Sequence, residues 1–577
     1  MRLNDVAVQL LRVRTMPAAL RVFLSHVKLA TPMPRKLPPL LGAALLSACA
    51  GHITDARIPN PQAISVSTQH NDNTRAGWND SETVLTTSNV NVTQFGALFS
   101  LLVDDQVSAQ PLVVGDVAIG TEHRNVVYVA TVNNTLYAFD GDDGRLYWRR
   151  NFTAPGLRPT RNTDMTGACS GMYTNFSGNM GIVGTPVIDT ASRVIYFVAR
   201  STSGSAFVQD LHAVDIVSGR DVAGSPVRIT ATYAGNGDGS VNNVIGFDAQ
   251  KQNQRQGLTL ANGIVYVTFS SHCDWGPYHG WILGYDATTL QRRVVYNDTP
   301  NGYAGGLWES GMGMAADAQG NLYVVTGNGT VGDSGDATKL TNRGESALKL
   351  TPSGSSLQVA SYFTPADYQA LNDTDIDYGT MGSLLIPNSS YFLTGGKDGN
   401  LYLVNKDNMG GWVSSSNQVQ QVVPLGSGSN MHCQVAYYKG STREFIYVWS
   451  ENDVLRAIPF NRGSNLLDRP GEIDYTGVGG PTGQSGAVLS VSSNGSTDGT
   501  GIVWASYAKS GDAESFVSPG ILRAFDANDV TRELWNNQQN AARDGAGMYA
   551  KFSPPTIANG HVYLPTFSSK VVVYGLR

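Results

Sequence analysis

The chain has 577 residues, a net charge of −6 at neutral pH and 15% charged residues, against roughly 25% in an average globular protein. It carries 64 glycines, which fits a β-rich protein with many turns. No basic cluster follows residue 49, so the composition argues against nucleic acid as a partner.

The first patterned segment is an export signal. Met33–Lys36 is basic, Leu37–Leu46 is apolar, and a small Ser-Ala pair precedes Cys49. This arrangement resembles the lipobox of bacterial lipoproteins, in which the cysteine is acylated and becomes the new N-terminus. An uncleaved transmembrane helix is the alternative, but about ten apolar residues are too few to cross a bilayer.

We therefore expect residues 1–49 to form the export and lipidation segment, with Cys49 as the lipidated residue and Met33 as an alternative translation start. Ala50 follows the cysteine, and by the same resemblance a residue other than Asp there implies the outer membrane. The predicted location is an outer-membrane lipoprotein, periplasmic or surface-exposed. Residues 50–69 are polar and contain prolines, so we expect a tether.

The next segment, Asn125–Trp148 (NVVYVATVNNTLYAFDGDDGRLYW), predicts three antiparallel strands joined by tight turns. Asn133-Asn134 and Asp140–Gly144 carry the turn signals. Strands similar to the second of these recur with a mean spacing of about 62 residues, long for a propeller blade but compatible with enlarged loops. The recurring positions are Ala138, Ala213, Gly284, Ala347, Leu403, Ala457, Ala524 and Val573.

The last repeat lacks an outer strand, since only a few residues follow Lys570–Tyr574. Phe95–Val103 precedes the first complete repeat and could supply that strand, which would close a ring and remove a free sheet edge. We predict an all-β fold over residues 70–577: an eight-bladed β-propeller of four-stranded antiparallel blades, closed by an N-terminal strand in the last blade. A solenoid of stacked sheets is the alternative.

One repeat carries a family resemblance. Ala138–Trp148 (AFDGDDGRLYW) resembles the tryptophan-docking motif A-x-D-x-x-x-G-x-x-x-W of quinoprotein alcohol dehydrogenases, and Leu211–Gly219 is a weaker copy. The chain from about residue 70 onward is similar to bacterial pyrroloquinoline-quinone-like (PQQ-like) β-propeller repeat proteins. Further stretches with this similarity are Gly181–Asp189, Asn253–Val267, Ser271–Trp281 and Lys551–Leu564.

The resemblance implies a propeller fold and makes PQQ a candidate cofactor. The adjacent cysteines of those dehydrogenases have no counterpart here, and their calcium ligands match no motif of this chain. A second relative in architecture is the propeller lipoprotein of the outer-membrane protein assembly machinery, which binds a partner protein.

Three cysteines follow Cys49. Export to an oxidising compartment favours a disulfide, and we pair Cys169 with Cys273 because both lie in loops or at strand ends next to glycine. Cys433 would then be a buried free thiol. No Cys-x-x-Cys spacing occurs, so we predict no metal site.

The mouth of a propeller channel collects side chains from different blades. The densest candidate cluster is SSHCDWGPYHGW, in which His272 could act as an acid–base group oriented by Asp274. The alternative is a turn in which Asp274 caps backbone N–H groups. We predict catalytic roles for His272, Asp274, Glu309 and His432, and ligand contacts for Arg255, His279, Trp308, Lys397 and Lys551.

Two of these candidates have structural alternatives. Trp308 could stack on a sugar or quinone, or instead pack between blades. Lys551 could meet an anionic ligand, or instead form a buried ion pair with Glu309 or Asp274.

The function predicted from sequence is a membrane-anchored, extracytoplasmic propeller with a polar central funnel that binds a small molecule or glycan. One alternative is an enzyme, either a PQQ-dependent alcohol or sugar dehydrogenase or another carbohydrate-active enzyme. It predicts shifted pKa values at one funnel mouth. The other is a non-catalytic scaffold for envelope assembly with a protein partner, which predicts an apolar patch above about 400 Å².

Overall fold

The computed structural model describes residues 63–426, 428–468, 474–475 and 477–577. The predicted export segment, with Cys49, lies outside the described residues. Within the described part, none of the helices combines the length and hydrophobicity that a membrane span needs.

Eight antiparallel blades form the described part of the chain, which confirms the predicted β-propeller. Every predicted repeat position falls on the third strand of a blade. From inner to outer strand, the blades are Leu112–Ile119, Glu122–Ala130, Thr135–Asp140 and Leu146–Asn151 (blade 1); Val187–Asp189, Val194–Thr202, Phe207–Asp215 and Val227–Arg228 (blade 2); Thr259–Ala261, Ile264–Ser271, Trp281–Asp286 and Arg292–Asn297 (blade 3); Ala315–Ala316, Leu322–Val325, Ala347–Ser353 and Ser356–Phe363 (blade 4); Met381–Leu385, Tyr391–Gly395, Asn400–Asn405 and Gln421–Pro424 (blade 5); Ala436–Lys439, Glu444–Val448, Arg456–Asn461 and Leu466–Leu467 (blade 6); Val488–Ser492, Ile502–Ala508, Gly520–Asp526 and Asp529–Asn536 (blade 7); Thr556–Ala558, His561–Pro565, Lys570–Leu576 and Phe95–Leu102 (blade 8).

Short elements decorate the blades. The additional strands are Trp78–Asn79, Arg158–Pro159, Thr232–Ala234, Val244–Gly246, Gln252–Asn253, Val331–Gly332, Asn342–Arg343 and Asp474–Tyr475; the helices are Tyr368–Asp373 and Ala541–Asp544, with single 3₁₀ turns at Asn162–Asp164, Ala168–Gly171, Glu309–Gly311 and Tyr378–Thr380.

The predicted ring closure is confirmed. Phe95–Leu102 pairs antiparallel with Lys570–Leu576, with Phe95 opposite Leu576. The Phe95 ring is fully buried, and its centroid lies 5.0 Å from that of Trp535 on the outer strand of blade 7. Closure therefore buries apolar surface as well as pairing the edge strand, and both effects stabilise the ring.

The tryptophan-docking motif joins blade 1 to blade 2. The Trp148 Nε1–H donates to the carbonyl of Ile216, 3.0 Å away. A Cβ at Gly219 would lie 2.8 Å from the Trp148 ring, so the ring packs directly on the glycine backbone. Asp140 accepts backbone N–H groups of its own turn, and Gly144 closes that turn at φ +76°.

The segment of residues 64–82, which we call the strap, runs around the central channel and bonds to all eight blades. Its contacts begin before residue 70, because the N–H of Ile64 donates to Asn559 Oδ1 at 2.8 Å. In blade order, the bonded pairs are Val66–Val113, Ser67–Ile188, Asn73–Leu260, Asn73–Ala316, Thr74–Leu385, Ala76–Tyr437, Gly77–Val491 and Asn79–Ile557.

Polar side chains of the strap fill the channel. Arg75 is fully buried and donates to the carbonyl of Met314 at 3.0 Å, the hydroxyl of Thr259 at 2.6 Å and the carbonyl of Gln69 at 2.7 Å. One arginine thus fastens the strap to blades 3 and 4, and its buried guanidinium finds several acceptors, as a buried charge requires.

Candidate functional site

The antiparallel meander decides which residues meet at the axis. In every blade, the segment that enters the inner strand and the turn between the second and third strands lie at the same end. At that end lies a central cavity of about 490 Å³, lined from blades 2 to 8. The lining residues from the turns are Cys273, Asp274, Lys397, Glu451, Asp512 and Glu514.

Five of the nine residues predicted to bind or react line this cavity: Arg255, Asp274, Trp308, Lys397 and His432. Beneath its floor lies the strap. Gln434 Nε2 donates to the carbonyls of Ser310 and Phe552 in the cavity wall, at 2.7 and 2.9 Å. Its other amide atom accepts from Gln69 of the strap at 3.2 Å.

The expected His272–Asp274 pair does not form. His272 is fully buried, and its Nε2 accepts an N–H from Arg200 at 2.8 Å. A neutral imidazole must then carry its hydrogen on Nδ1, which lies 2.8 Å from the Tyr173 hydroxyl. Burial, and then the charges of Arg200 and Arg255, hold the pKa of His272 well below its ordinary value, so it is neutral.

This tautomer gives Tyr173 a role that sequence reasoning missed. Its hydroxyl oxygen accepts from His272, so its own hydrogen is available to a group in the cavity, which Tyr173 lines. His272 itself does not line the cavity.

Asp274 hydrogen-bonds instead to Tyr278, whose hydroxyl donates at 2.5 Å. The residue is exposed to solvent and lines the cavity. Burial first, and then the charge of Asp377, raise the pKa of Asp274 to about 6.

Lys397 occupies the centre of an acidic group. Its Nζ lies 2.5 Å from Asp377 and 3.1 Å from Asp375. Burial works against the ammonium, but Asp377 and then Asp375 outweigh it and raise the pKa of Lys397 above its ordinary value. The ammonium thus balances the charge of these two carboxylates. No metal-binding cluster occurs among the described residues.

A histidine–carboxylate pair does face the cavity, but with a partner that the sequence did not identify. His432 Nδ1 lies 2.6 Å from Glu451 Oε1, and Glu451 is buried. Nε2 of His432 has no hydrogen-bond partner in the described part of the chain. Glu451, Asp512 and Glu514 could have been found by scanning each turn between a second and a third strand for carboxylates.

The other predicted site residues lie outside the lining. Glu309 is fully buried, and its Oε1 accepts from the N–H of Val325 at 3.0 Å. Its Oε2 has no hydrogen-bond partner among the residues that the structure describes, and burial raises the pKa of Glu309 to about 8. Lys551 donates to the backbone carbonyl of Glu514 at 2.8 Å rather than to Glu309 or Asp274. His279 bonds to Thr299 and to the carbonyl of Asp238, away from the cavity.

The structure joins the two cysteines that the sequence paired. The sulfurs of Cys169 and Cys273 are 2.04 Å apart. The disulfide links the segment entering blade 2, which carries Tyr173 and Phe176, to the blade 3 turn that carries Asp274. Cys433 is a buried free thiol, and burial raises its pKa to about 12.

Comparison with known proteins agrees with this architecture. Residues 104–174 match the family model described as outer membrane protein assembly factor BamB. Among solved structures, the quinohemoprotein alcohol dehydrogenase ADHIIG from Pseudomonas putida HK5 superposes with a TM-score of 0.54 at 12% identity, over 89% of this chain and 80% of that one. The chain has the PQQ-like β-propeller fold.

A second solved structure superposes equally well on this PQQ-like propeller. The quinohemoprotein alcohol dehydrogenase from Comamonas testosteroni gives a TM-score of 0.53 at 13% identity, with 89% and 80% coverage. BamB from Moraxella catarrhalis gives 0.43 at 11% identity, with 83% and 99% coverage. No curated protein sequence matches the chain. At these identities the likeness describes the fold alone.

The cavity of this PQQ-like propeller does not fit the quinone itself. PQQ is a planar tricarboxylate, which needs several unpaired cations around it. The cations in the lining are Arg255 and Lys397, and Lys397 is already engaged by two aspartates. The lining carboxylates are Asp274, Asp375, Asp377, Glu451, Asp512 and Glu514, a set that would repel such a ligand.

Proposed function

We propose that the protein is an exported β-propeller whose central cavity binds a polyhydroxylated small molecule, such as a glycan of one or two sugar rings. The volume of about 490 Å³ falls in the range of about 300–1,000 Å³ that is typical of ligand pockets. The observation that carries the proposal is the convergence of polar side chains from seven blades on one cavity.

The chemistry of the lining supports this ligand class. Carboxylates of Asp274, Asp512 and Glu514 can accept hydrogen bonds from hydroxyl groups, and Tyr173 can donate one. Trp308 is half-buried in the wall and can offer its ring face to a sugar ring. An acidic, hydrogen-bonding cavity with an aromatic wall suits a neutral or weakly charged polyol better than a polyanion.

Binding assays with the purified full-length protein test this proposal. Isothermal titration with neutral mono- and disaccharides should give saturable binding, and Trp308→Ala should weaken it at least tenfold. Trp412→Ala is the matched control. Trp412 lies in the loop before the outer strand of blade 5, packs on Tyr368 and does not line the cavity. Absence of binding, or equal affinity in Trp308→Ala, would contradict the proposal.

A carbohydrate-active enzyme is the second candidate, favoured by the His432–Glu451 pair. Glu451 orients the imidazole so that its unpartnered Nε2 can accept a proton, as a general base does. Chromatography after long incubation with the bound saccharide separates the candidates. An enzyme converts the sugar and loses that activity in His432→Gln, whereas a binding protein returns it unchanged.

Anchoring through Cys49 completes the proposal, supported by the basic and apolar pattern that precedes this cysteine. The native chain should incorporate labelled fatty acid and fractionate with the outer membrane. Cys49→Ala should do neither, and an unchanged distribution would contradict the anchoring. An envelope protein that binds the loop faces remains a further proposed partner.

A further inference from the structure

Among the described residues, one cation of the central cavity, Arg255, has no ion-pair partner. The guanidinium of Arg255 lies between two aromatic rings, 4.8 Å from the centroid of Phe176 and 4.3 Å from that of Phe552. Such a sandwich fixes the plane of the guanidinium and contributes cation–π attraction. The N–H groups at the edge of the guanidinium can still donate hydrogen bonds within that plane.

No acceptor for this guanidinium exists within the described ranges of the chain. Its Nη2 is buried and has no hydrogen-bond partner, and no carboxylate lies within 4.0 Å of it. By contrast, the other cation in the lining, Lys397, is bonded to two aspartates. A buried donor without a partner is costly, so this position is built for an acceptor that the chain itself does not provide.

The surroundings of Arg255 add to the positive charge. Arg200 is buried on the far side of His272 and has two nitrogens, Nε and Nη1, without partners. Lys551 is also buried, and its Nζ donates to the backbone carbonyl of Glu514. Burial, and then the charge of Arg255, hold the pKa of Lys551 well below its ordinary value, so this lysine adds little positive charge. The positive charge in this part of the cavity therefore comes from Arg255, with Arg200 behind His272. The carboxylates Asp274, Asp375 and Asp377 lie around Lys397, and Asp512 and Glu514 lie near Lys551.

We propose that Arg255 binds a carboxylate of the ligand, so that the ligand is a sugar acid of the uronate class. This inference rests on the proposed function, since it assigns a ligand class to the same cavity. A planar carboxylate can accept two parallel N–H bonds from a guanidinium held in one plane. The lining carboxylates then receive the hydroxyl groups, and they disfavour ligands with more than one negative charge.

Titration calorimetry at pH 7 with D-galacturonate, D-galactose and D-galactose 6-phosphate tests the assignment. Galacturonate should bind at least tenfold more tightly than galactose, and added salt should reduce that preference. Arg255→Gln should remove the preference, because it should weaken galacturonate binding at least tenfold more than it weakens galactose binding. Arg255→Lys should keep part of it, because the charge remains but the paired bonds are lost. Arg523→Gln is the matched control, since Arg523 pairs with Glu533 at 2.6 Å outside the cavity.

The outcomes separate the two proposals. Absence of binding by all three probes would contradict the proposed function itself. Equal affinities for galactose and galacturonate, or a preference for galacturonate that survives Arg255→Gln, would leave a sugar-binding cavity but overturn the carboxylate assignment. Tighter binding of the phosphate than of galacturonate would also overturn it. Near-UV circular dichroism of each variant shows whether the fold is intact, and Arg255→Lys serves if Arg255→Gln does not fold.

Discussion

Glu309 provides the sharpest test of the electrostatics beneath the cavity. The side chain is fully buried, and one carboxyl oxygen accepts a single backbone N–H while the other has no partner. Burial raises its pKa from 4.5 to about 8. Between these values the folded chain keeps a proton that the unfolded chain has released, so the free energy of unfolding falls as the pH rises.

The magnitude follows from the shift. At about 1.36 kcal/mol per pKa unit, ionisation of Glu309 costs the folded state about 4 kcal/mol more at pH 9 than at pH 5. Glu309→Gln removes this cost, because the amide oxygen can still accept from Val325 and the side chain does not titrate. Relative to the native chain, the variant should therefore gain about 4 kcal/mol of stability between pH 5 and pH 9.

Urea denaturation followed by tryptophan fluorescence measures the free energy of unfolding of both chains at each pH. Groups that titrate alike in the native chain and in Glu309→Gln cancel when one free energy is subtracted from the other. Glu533→Gln is the control, because Glu533 lies on an outer strand and pairs with Arg523; its stability difference should change by less than about 1 kcal/mol over the same range. A difference for Glu309→Gln that stays constant with pH, or falls, would refute the reasoning.

Three further predictions concern the elements that hold the site. The double variant Cys169→Ser with Cys273→Ser should lose about 4–5 kcal/mol of stability, because the disulfide closes a loop across a separation of 104 residues; a reductant should destabilise only the native chain, and equal urea midpoints would contradict this. Arg75→Met should lose about 3–5 kcal/mol, because several buried acceptors lose their donor; a loss under 1 kcal/mol in urea denaturation would mean that the strap does not depend on it. Lys397→Met should lose a similar amount, and Asp377→Asn should restore part of it in a double-mutant cycle; strictly additive losses would show that the pair is not coupled.

The fold could be predicted because its signals are local. Each third strand carries its own alternation and turn residues. In the last repeat the third strand has no outer strand after it in the sequence, and Phe95–Val103 supplies the missing partner. The strap could not be found in this way. In its residues 64–69 only Ile64 and Val66 alternate with serines, a pattern too short to predict a strand. The contacts of these residues are to inner strands far along the chain, such as Val113 and Ile188.

Part of the cavity lining could be predicted, where topology alone decides which residues meet. Asp274 and Lys397 line the cavity because turns between second and third strands lie at that end. The sequence does not show why two neighbouring side chains point to different places. Trp308 lines the cavity, whereas Glu309 adopts φ +46° and accepts a hydrogen bond from Val325 beneath the cavity. The partner of His432 was missed because Glu451 follows the next strand of the blade, so the pair forms only through strand pairing.

The central claim is that one ligand contacts segments that lie far apart in the sequence. Hydrogen–deuterium exchange of the full-length protein, with and without saturating D-galacturonate, tests it most directly. We predict simultaneous protection of peptides containing Arg255, Trp308 and His432, with the strap unchanged. Protection confined to a single loop, or found only in the strap, would contradict the account.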